Sequence, residues 1–405
     1  MIPLLLITPL VMAALMPLLK RRIKLQCMLV FVYAVLLGVG ALSFVATKTS
    51  FTPFLAVDEL NTLFIAIMAV ILLAVTIYGF DFFRRPEEQK QANRIWVYHL
   101  FLLLFVTSML GILLSAHIGM LWVFIETSTL TSTMLICYHR SRQSYEAAWK
   151  YIFICSLGIS FAFIGIVFLS LSAVGLDNSL SWTWLNANAG KLDSLWLKLS
   201  MPFLLLGIGT KMGLAPMHNW LPDAHSEAPS PISAALSATL LNAALLGILR
   251  VHKILINANL QEYSGRILIV MGFLSLFIPA VFIIRARNYK RMLAYSSVEN
   301  MGIIAIGVGI GGPALFAALL HMIGHSLVKA AFFLTAGNIY SIYHSKRIRD
   351  IRGLLRADPL SGWLWLGGAV GICAFPPFVT FISEFRLVAA MLGNGAYVAA
   401  GLFCL

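Results

Sequence analysis

Apolar stretches long enough to cross the ~30 Å hydrocarbon core of a bilayer, which takes about 20 residues as helix, recur along the whole of this 405-residue chain. Sixty per cent of the residues are apolar or aromatic and only 11% are charged, a balance that excludes both an ordinary soluble domain and disorder. Backbone groups in lipid must be bonded within the segment, and the runs lack the two-residue alternation of a barrel, so they are helices. The runs lie at 2–19, 25–46, 58–80, 96–115, 118–137, 148–173, 200–215, 231–250, 265–284, 291–310, 313–343, 360–391 and from 396 onward. The expected fold is therefore an all-α polytopic membrane protein with about 13 transmembrane helices. The last run, YVAAGLFCL, is too short to span, and a chain truncated from about 14 helices is expected.

A net charge of +13 raises the question of nucleic acid, and the placement of the charges answers it. With the amino terminus outside and the segments alternating, 20 of the 29 Lys and Arg residues fall inside, in clusters at Lys20–Lys24, Arg84–Arg94, Arg140–Lys150, Arg285–Arg291 and Lys346–Arg356. Six fall outside (Lys48, Lys191, Lys198, Arg250, Lys253, Arg266), and Lys211, Lys329 and Arg386 lie within the membrane. That asymmetry is the positive-inside pattern. MIPLLLITPL has no basic region before it and reads as a retained first helix rather than a cleaved signal. The five cysteines are isolated in apolar runs, with no spacing for a disulfide framework, zinc or an iron–sulfur cluster, so no cofactor is expected in this chain. Gly307, Gly309 and Gly312 match G-x-G-x-x-G, but they end a helix at Pro313 without a βαβ context and read as an interhelical turn.

An ionisable side chain at bilayer depth costs at least ~2.5 kcal/mol and ordinarily faces a bundle interior or an ion pathway. Four places qualify. Glu126 sits within LWVFIETSTLTSTML, and Lys211 ends the seventh run. His321, His325 and Lys329 repeat at i, i+4 and i+8, one stripe ~12 Å long on one helix face. Glu384 follows FPPFVTFIS, with Arg386 nearby. Each has a structural reading too: Glu126 bonded to the neighbouring hydroxyls, Lys211 snorkelling, the two histidines binding a metal, and Glu384 paired with Arg386. Two histidines without an acidic third ligand are weak evidence for metal, and no metal site is assigned.

Proline breaks coincide with the charges. Pro216 and Pro222 follow Lys211, with His218 between them, and Pro376 and Pro377 precede Glu384. Transporters tolerate broken helices at ion sites, where freed backbone groups line protein or water. Counted from the fourth and ninth segments, the broken helix is fourth in each of two five-helix units. Five is odd, so the units have opposite topology. The expected organisation is helices 1–3 over residues 1–95, a first repeat over 96–255 and an inverted second repeat over 256–405.

GTKMGLAPMHNWLPDAHSEAPSPISAAL resembles the signature of the antiporter-like family, which includes the proton-pumping subunits of respiratory complex I and the large subunits of multisubunit sodium/proton antiporters. HMIGHSLVKAAFFLTAGNIY and RMLAYSSVENMG match later motifs of that family, and ETSTLTSTMLICYHRSRQSYEAAWKYIFICSLGISFA most resembles the hydrogenase-4 component F type. The resemblance spans roughly residues 60 to 392. It implies that Glu126 and Lys211 are the glutamate and lysine of the first repeat, that His321, His325 and Lys329 form a proton-relay stripe, and that Glu384 is the terminal acid or base. It also implies other membrane subunits and a peripheral oxidoreductase arm, whose nickel–iron and iron–sulfur centres lie on partner chains. Asn242 departs from the family, where a lysine is common in the eighth helix. Asn cannot titrate, so the central relay must run through water, His218 or another group.

These readings combine into an expected function: a proton-translocating membrane subunit. A swing of Glu126 toward or away from Lys211 changes how firmly the lysine holds its proton, and the proton passes to the histidine stripe and leaves at Glu384. A sodium/proton antiporter subunit, a subunit energising inorganic-carbon uptake and a purely structural anchor are the alternatives. The expected location is the cell inner membrane.

Overall fold

The computed structural model describes residues 2–46, 50–51, 54–176 and 179–404; Lys48 lies outside them. The chain is almost wholly helical. Its principal helices are α1 (Ile2–Leu15), α2 (Ile23–Ala46), α3 (Glu59–Phe82), α4 (Ile95–Leu114), α5 (Ile118–Ile136), α6 (Arg142–Leu171), α7 (Ser194–Met212) and α8 (Trp220–Glu227). They continue as α9 (Ser230–Asn257), α10 (Gln261–Ile284), α11 (Tyr289–Ile310), α12 (Pro313–Tyr343), α13 (Pro359–Ile372), α14 (Val379–Gly393) and α15 (Tyr397–Phe403). Ten of the described helices are long and apolar enough to cross a membrane. The seventh, twelfth and thirteenth predicted segments fall outside that set for visible reasons: α7 carries Lys198 and Lys211, the twelfth segment is divided into α13 and α14, and α15 is short.

Close approach between helices depends on small residues, since lipid offers no hydrophobic force to press helices together. Gly158 and Gly207 bring α6 and α7 together: a Cβ on Gly207 would lie 2.5 Å from the Ala162 amide nitrogen. Gly272 and Gly302 do the same for α10 and α11, where a Cβ on Gly302 would meet the Gly272 carbonyl at 2.7 Å.

α9 forms the axis of the bundle. It is buried along nearly its whole length and contains one π turn at Leu236–Leu240, directly before Asn242. π turns are rare and often mark functional sites. The half-helix α8 packs on both α6 and α11, and α12 packs on the start of α9, on α11, and on both α13 and α14. Elements from the two halves therefore meet around α8, α9 and α12.

The basic clusters gather at one end of the bundle. Side chains from residues 85–91, 139–143, 285–291 and 337–347 line two adjoining cavities there. Asp223 bonds Lys150 at 3.3 Å and Arg291 at 3.2 Å, Glu227 bonds Lys346 at 3.0 Å, and the Lys290 ammonium donates to the Ala228 carbonyl at 2.6 Å. These contacts pin α8 and the turn after it to three surrounding elements. At the opposite end Arg250 pairs with Asp58 at 2.5 Å, and Asp58 also caps α3.

Candidate functional site

Why the seventh helix stops where it does follows from its own residues. Gly213 takes a left-handed conformation (φ 81°), which closes α7 and lets its amide and that of Leu214 return to the last turn. Pro216, with no amide to offer, lies in the break itself. Pro222 falls in the first turn of α8, where a missing amide costs nothing, so it begins the second half-helix. The exposed polar backbone is recaptured by side chains: the Trp220 indole donates to the Thr210 carbonyl at 2.8 Å, and the Ala215 amide donates to Ser275 Oγ at 2.8 Å. The second break, residues 373–378 between α13 and α14, contains Pro376 and Pro377, and there the Thr380 hydroxyl donates to the Gly371 carbonyl.

Lys211, 2% exposed, lies one turn before the first break. Its ammonium donates to the Tyr151 hydroxyl at 2.7 Å and stands 4.6 Å from the centre of the same ring. Tyr151 bonds Ser132 Oγ at 2.7 Å, and Ser132 donates in turn to the Ser128 carbonyl. With that acceptor taken, the bonds run in one order: lysine to phenol, phenol to serine, serine to carbonyl. Glu126 is half-buried on α5 and accepts from Ser156 at 3.3 Å and Thr129 at 3.5 Å. Among the described residues it makes no ion pair with Lys211. The hydroxyls around Glu126 are the ones its structural reading expects; the partner of Lys211 is a phenol that the sequence did not single out.

The stripe on α12 is buried throughout: His321 is 1% exposed, His325 and Lys329 are 0%. Lys329 donates to the Leu293 carbonyl and to Ser296 Oγ, both at 2.8 Å. His321 is held between Ser383 of α14 (2.9 Å) and Asn300 of α11 (3.0 Å), so it links the stripe to the helix of Glu384. Both ring nitrogens of His325 lack a protein partner. The next residue, Ser326, accepts from the Asn242 amide at 2.7 Å, while the Asn242 side-chain oxygen lacks a protein partner. Asn242 thus joins α9 to the stripe through a hydroxyl. His218 is 3% exposed, in the loop between α7 and α8.

Glu384 is half-buried on α14. Arg386 does not pair with it; the guanidinium lies over the Phe316 ring at 5.4 Å. Its electrostatic neighbour is Glu299 of α11, which also interacts with Lys329. Glu299 was missed in the sequence, although a lone carboxylate within an apolar run was its signal. His225 lies in α8, beyond the first break. It is fully buried, stacked on Phe333 of α12 at 4.8 Å, with neither ring nitrogen partnered by protein. Among the described residues no group of three or more His, Cys, Asp or Glu side chains gathers as metal ligands would.

At the basic end itself Glu88 is buried while lining one of the two cavities. Burial pushes the Glu88 carboxyl up to about 7, reinforced by Glu87 and opposed by the Tyr138 hydroxyl and Arg85.

The fold thus buries Lys211, His321, His325 and Lys329 within the bundle, with Glu126 and Glu384 half-buried. Residues 115–405 match the family model described as NADH:quinone oxidoreductase/Mrp antiporter, transmembrane. The chain is 38% identical over 373 residues to a hydrogenase-4 component F homolog of Methylacidiphilum infernorum, covering 90% of this chain and 78% of the relative. It is 30% identical over 352 residues to NADH-quinone oxidoreductase subunit N of Desulforudis audaxviator, covering 85% and 68%. Its fold matches a chain of an archaeal respiratory complex, the membrane-bound sulfane sulfur reductase, with a TM-score of 0.88 at 23% identity over 100% of this chain and 85% of that one. This multi-pass membrane chain therefore belongs to the NADH:quinone oxidoreductase/Mrp antiporter family.

Proposed function

We propose that this chain is the proton-translocating membrane subunit of a hydrogenase-like or complex I-like oxidoreductase. One observation carries the reading: two lysines are almost wholly buried at membrane depth, and each is held by neutral oxygens with no carboxylate within ion-pairing distance. An ammonium kept in such a place without a counter-ion is a large standing cost, and a side chain that must gain and lose a proton there accounts for it. The helices that carry the two lysines, α7 and α12, both pack on α9. Asn242 bonds Ser326, and the Asn242 oxygen and both His325 nitrogens are buried polar atoms without a protein partner, the kind of group that ordered water satisfies. Asn242 replaces a titratable relay with an orienting amide.

In this reading Glu126 approaches Lys211 to hold its proton and withdraws to release it. The proton passes by the hydrated centre to His325 and Lys329, and reaches Glu384 by way of His321 and Glu299. The two halves, 96–255 and 256–405, act as inverted repeats behind the helices of 1–95. The basic end faces the cytoplasm, which puts the amino terminus outside, in the cell inner membrane. Partner membrane subunits flank the chain, and a peripheral arm carrying nickel–iron and iron–sulfur centres drives it.

The test is reconstitution of the intact complex in vesicles with Lys211→Ala or Glu126→Gln. Vesicle acidification coupled to the redox reaction is expected to fall sharply while the complex stays assembled. Undiminished proton movement in both variants would remove the proposal, and movement that depends on sodium would replace the proton by that ion.

A further inference from the structure

The first helices lie outside the region that the family model matches, and they hold a cavity that the proton line does not use. At the basic end, the link between α1 and α2 and the end of α3 enclose about 540 Å³. Four cations line it, Arg21, Arg22, Lys24 and Arg84, over a floor that includes Phe80 and Phe83; no carboxylate does. All four are exposed, and none forms an ion pair among the described residues. The two other cavities at this end differ in their lining, which includes Glu146, Asp223 and Glu227 in one and Glu87, Glu88 and Glu227 in the other. Four unpaired cations around one cavity call for an anion.

The surroundings say what kind. Directly beyond Cys27, which lines the cavity, α2 presents Met28, Val32, Val35, Val39 and Leu42, each between 42% and 73% exposed. Their spacing of four and three residues places them on one helix face, a stripe ~21 Å long. On α3, Ile77 (59% exposed) stands one turn from Phe80 and Val70 (50%) two turns further. Inorganic phosphate would satisfy the cations and leave this apolar track unused. A molecule with a phosphate at one end and acyl chains of about that length uses both.

We propose that this cavity binds the head group of an anionic glycerophospholipid in the leaflet next to the basic end, with its acyl chains lying along α2. The proposal is independent of the proton reading. Basic clusters beside transmembrane helices recognise anionic lipids in this manner, each cation near the surface contributing roughly five-fold in binding.

The experiment uses the native complex, purified in mild detergent, with lipid retention read by native mass spectrometry and head-group analysis. Wild type is expected to keep one more anionic phospholipid per copy than the Arg22→Gln/Lys24→Gln/Arg84→Gln variant. Delipidated wild type should rebind phosphatidylglycerol in preference to phosphatidylcholine, and the triple variant should need roughly 100-fold more. Lys253→Gln, at the opposite end, serves as the charge control and should change nothing. The proposal is overturned by equal phosphatidylglycerol affinity in wild type and triple variant, by equal binding of the two lipids, or by millimolar inorganic phosphate displacing the lipid completely. A photocrosslinker at Met28 that captures a partner subunit's helix instead of lipid would overturn it as well.

Discussion

Replacing Tyr151 by Phe removes one oxygen from the line and almost nothing else. The ring stays, so the packing on Trp220 (4.8 Å between centroids) and the ring face at 4.6 Å from the Lys211 nitrogen persist. What goes is the 2.7 Å bond from the ammonium and the bond onward to Ser132. A hydrogen bond to a charged group contributes ~1.5–3 kcal/mol. If the lysine ammonium is an obligatory stage of transfer, raising it by that amount slows the passage by about 10- to 150-fold. In vesicles containing the whole complex, acidification per turnover of the redox reaction should fall accordingly in Tyr151→Phe, and Ser132→Ala should reproduce a smaller part of the loss. If Lys211→Ala abolishes proton movement while Tyr151→Phe stays within about two-fold of wild type, the phenol is packing and the line does not run through it.

Three further outcomes are expected. His325→Ala removes no bond to protein, because neither ring nitrogen has a protein partner, so the complex should still assemble on native gels while proton movement drops about tenfold or more; loss of assembly would return His325 to a structural role. Gly207→Ala places a Cβ 2.5 Å from the Ala162 amide nitrogen, and such overpacking costs ~1–3 kcal/mol, read as a lower unfolding temperature of the detergent-solubilised complex. Glu88 is protonated more readily in the fold than in the open chain, with its carboxyl at about 7 against 4.5. The folded state therefore binds the extra proton between those values, and the contribution is fully present below pH 4.5 and lost as pH rises through 7. Glu88→Gln should accordingly stabilise the protein at pH 8, by up to about 3 kcal/mol, and have little effect at pH 4. A thermal unfolding series over that pH range checks it, and a pH-independent difference would refute the assignment.

The charges were legible in the sequence because each breaks an apolar run, and a lysine or glutamate at bilayer depth is conspicuous there. Lys211, the stripe of His321, His325 and Lys329, and the two breaks were found in this way, and the structure places them inside the bundle. What holds them was not legible. Tyr151, Ser132, Asn300, Ser296 and Ser383 are ordinary residues for a membrane helix, and only the packing of α5, α6, α7, α11, α12 and α14 brings their hydroxyls and amides to the charges. The expectation from the sequence is a switchable pair, with Glu126 swinging toward and away from Lys211. In the fold each is bonded to neutral groups, which leaves both free of a partner that would trap them. A buried pair bonded tightly to each other is a structural element. Two groups bonded to separate neutral partners, hydroxyl donors for Glu126 and a phenol acceptor for Lys211, can each change partner, and on that physical ground the separated arrangement suits one stage of the expected swing.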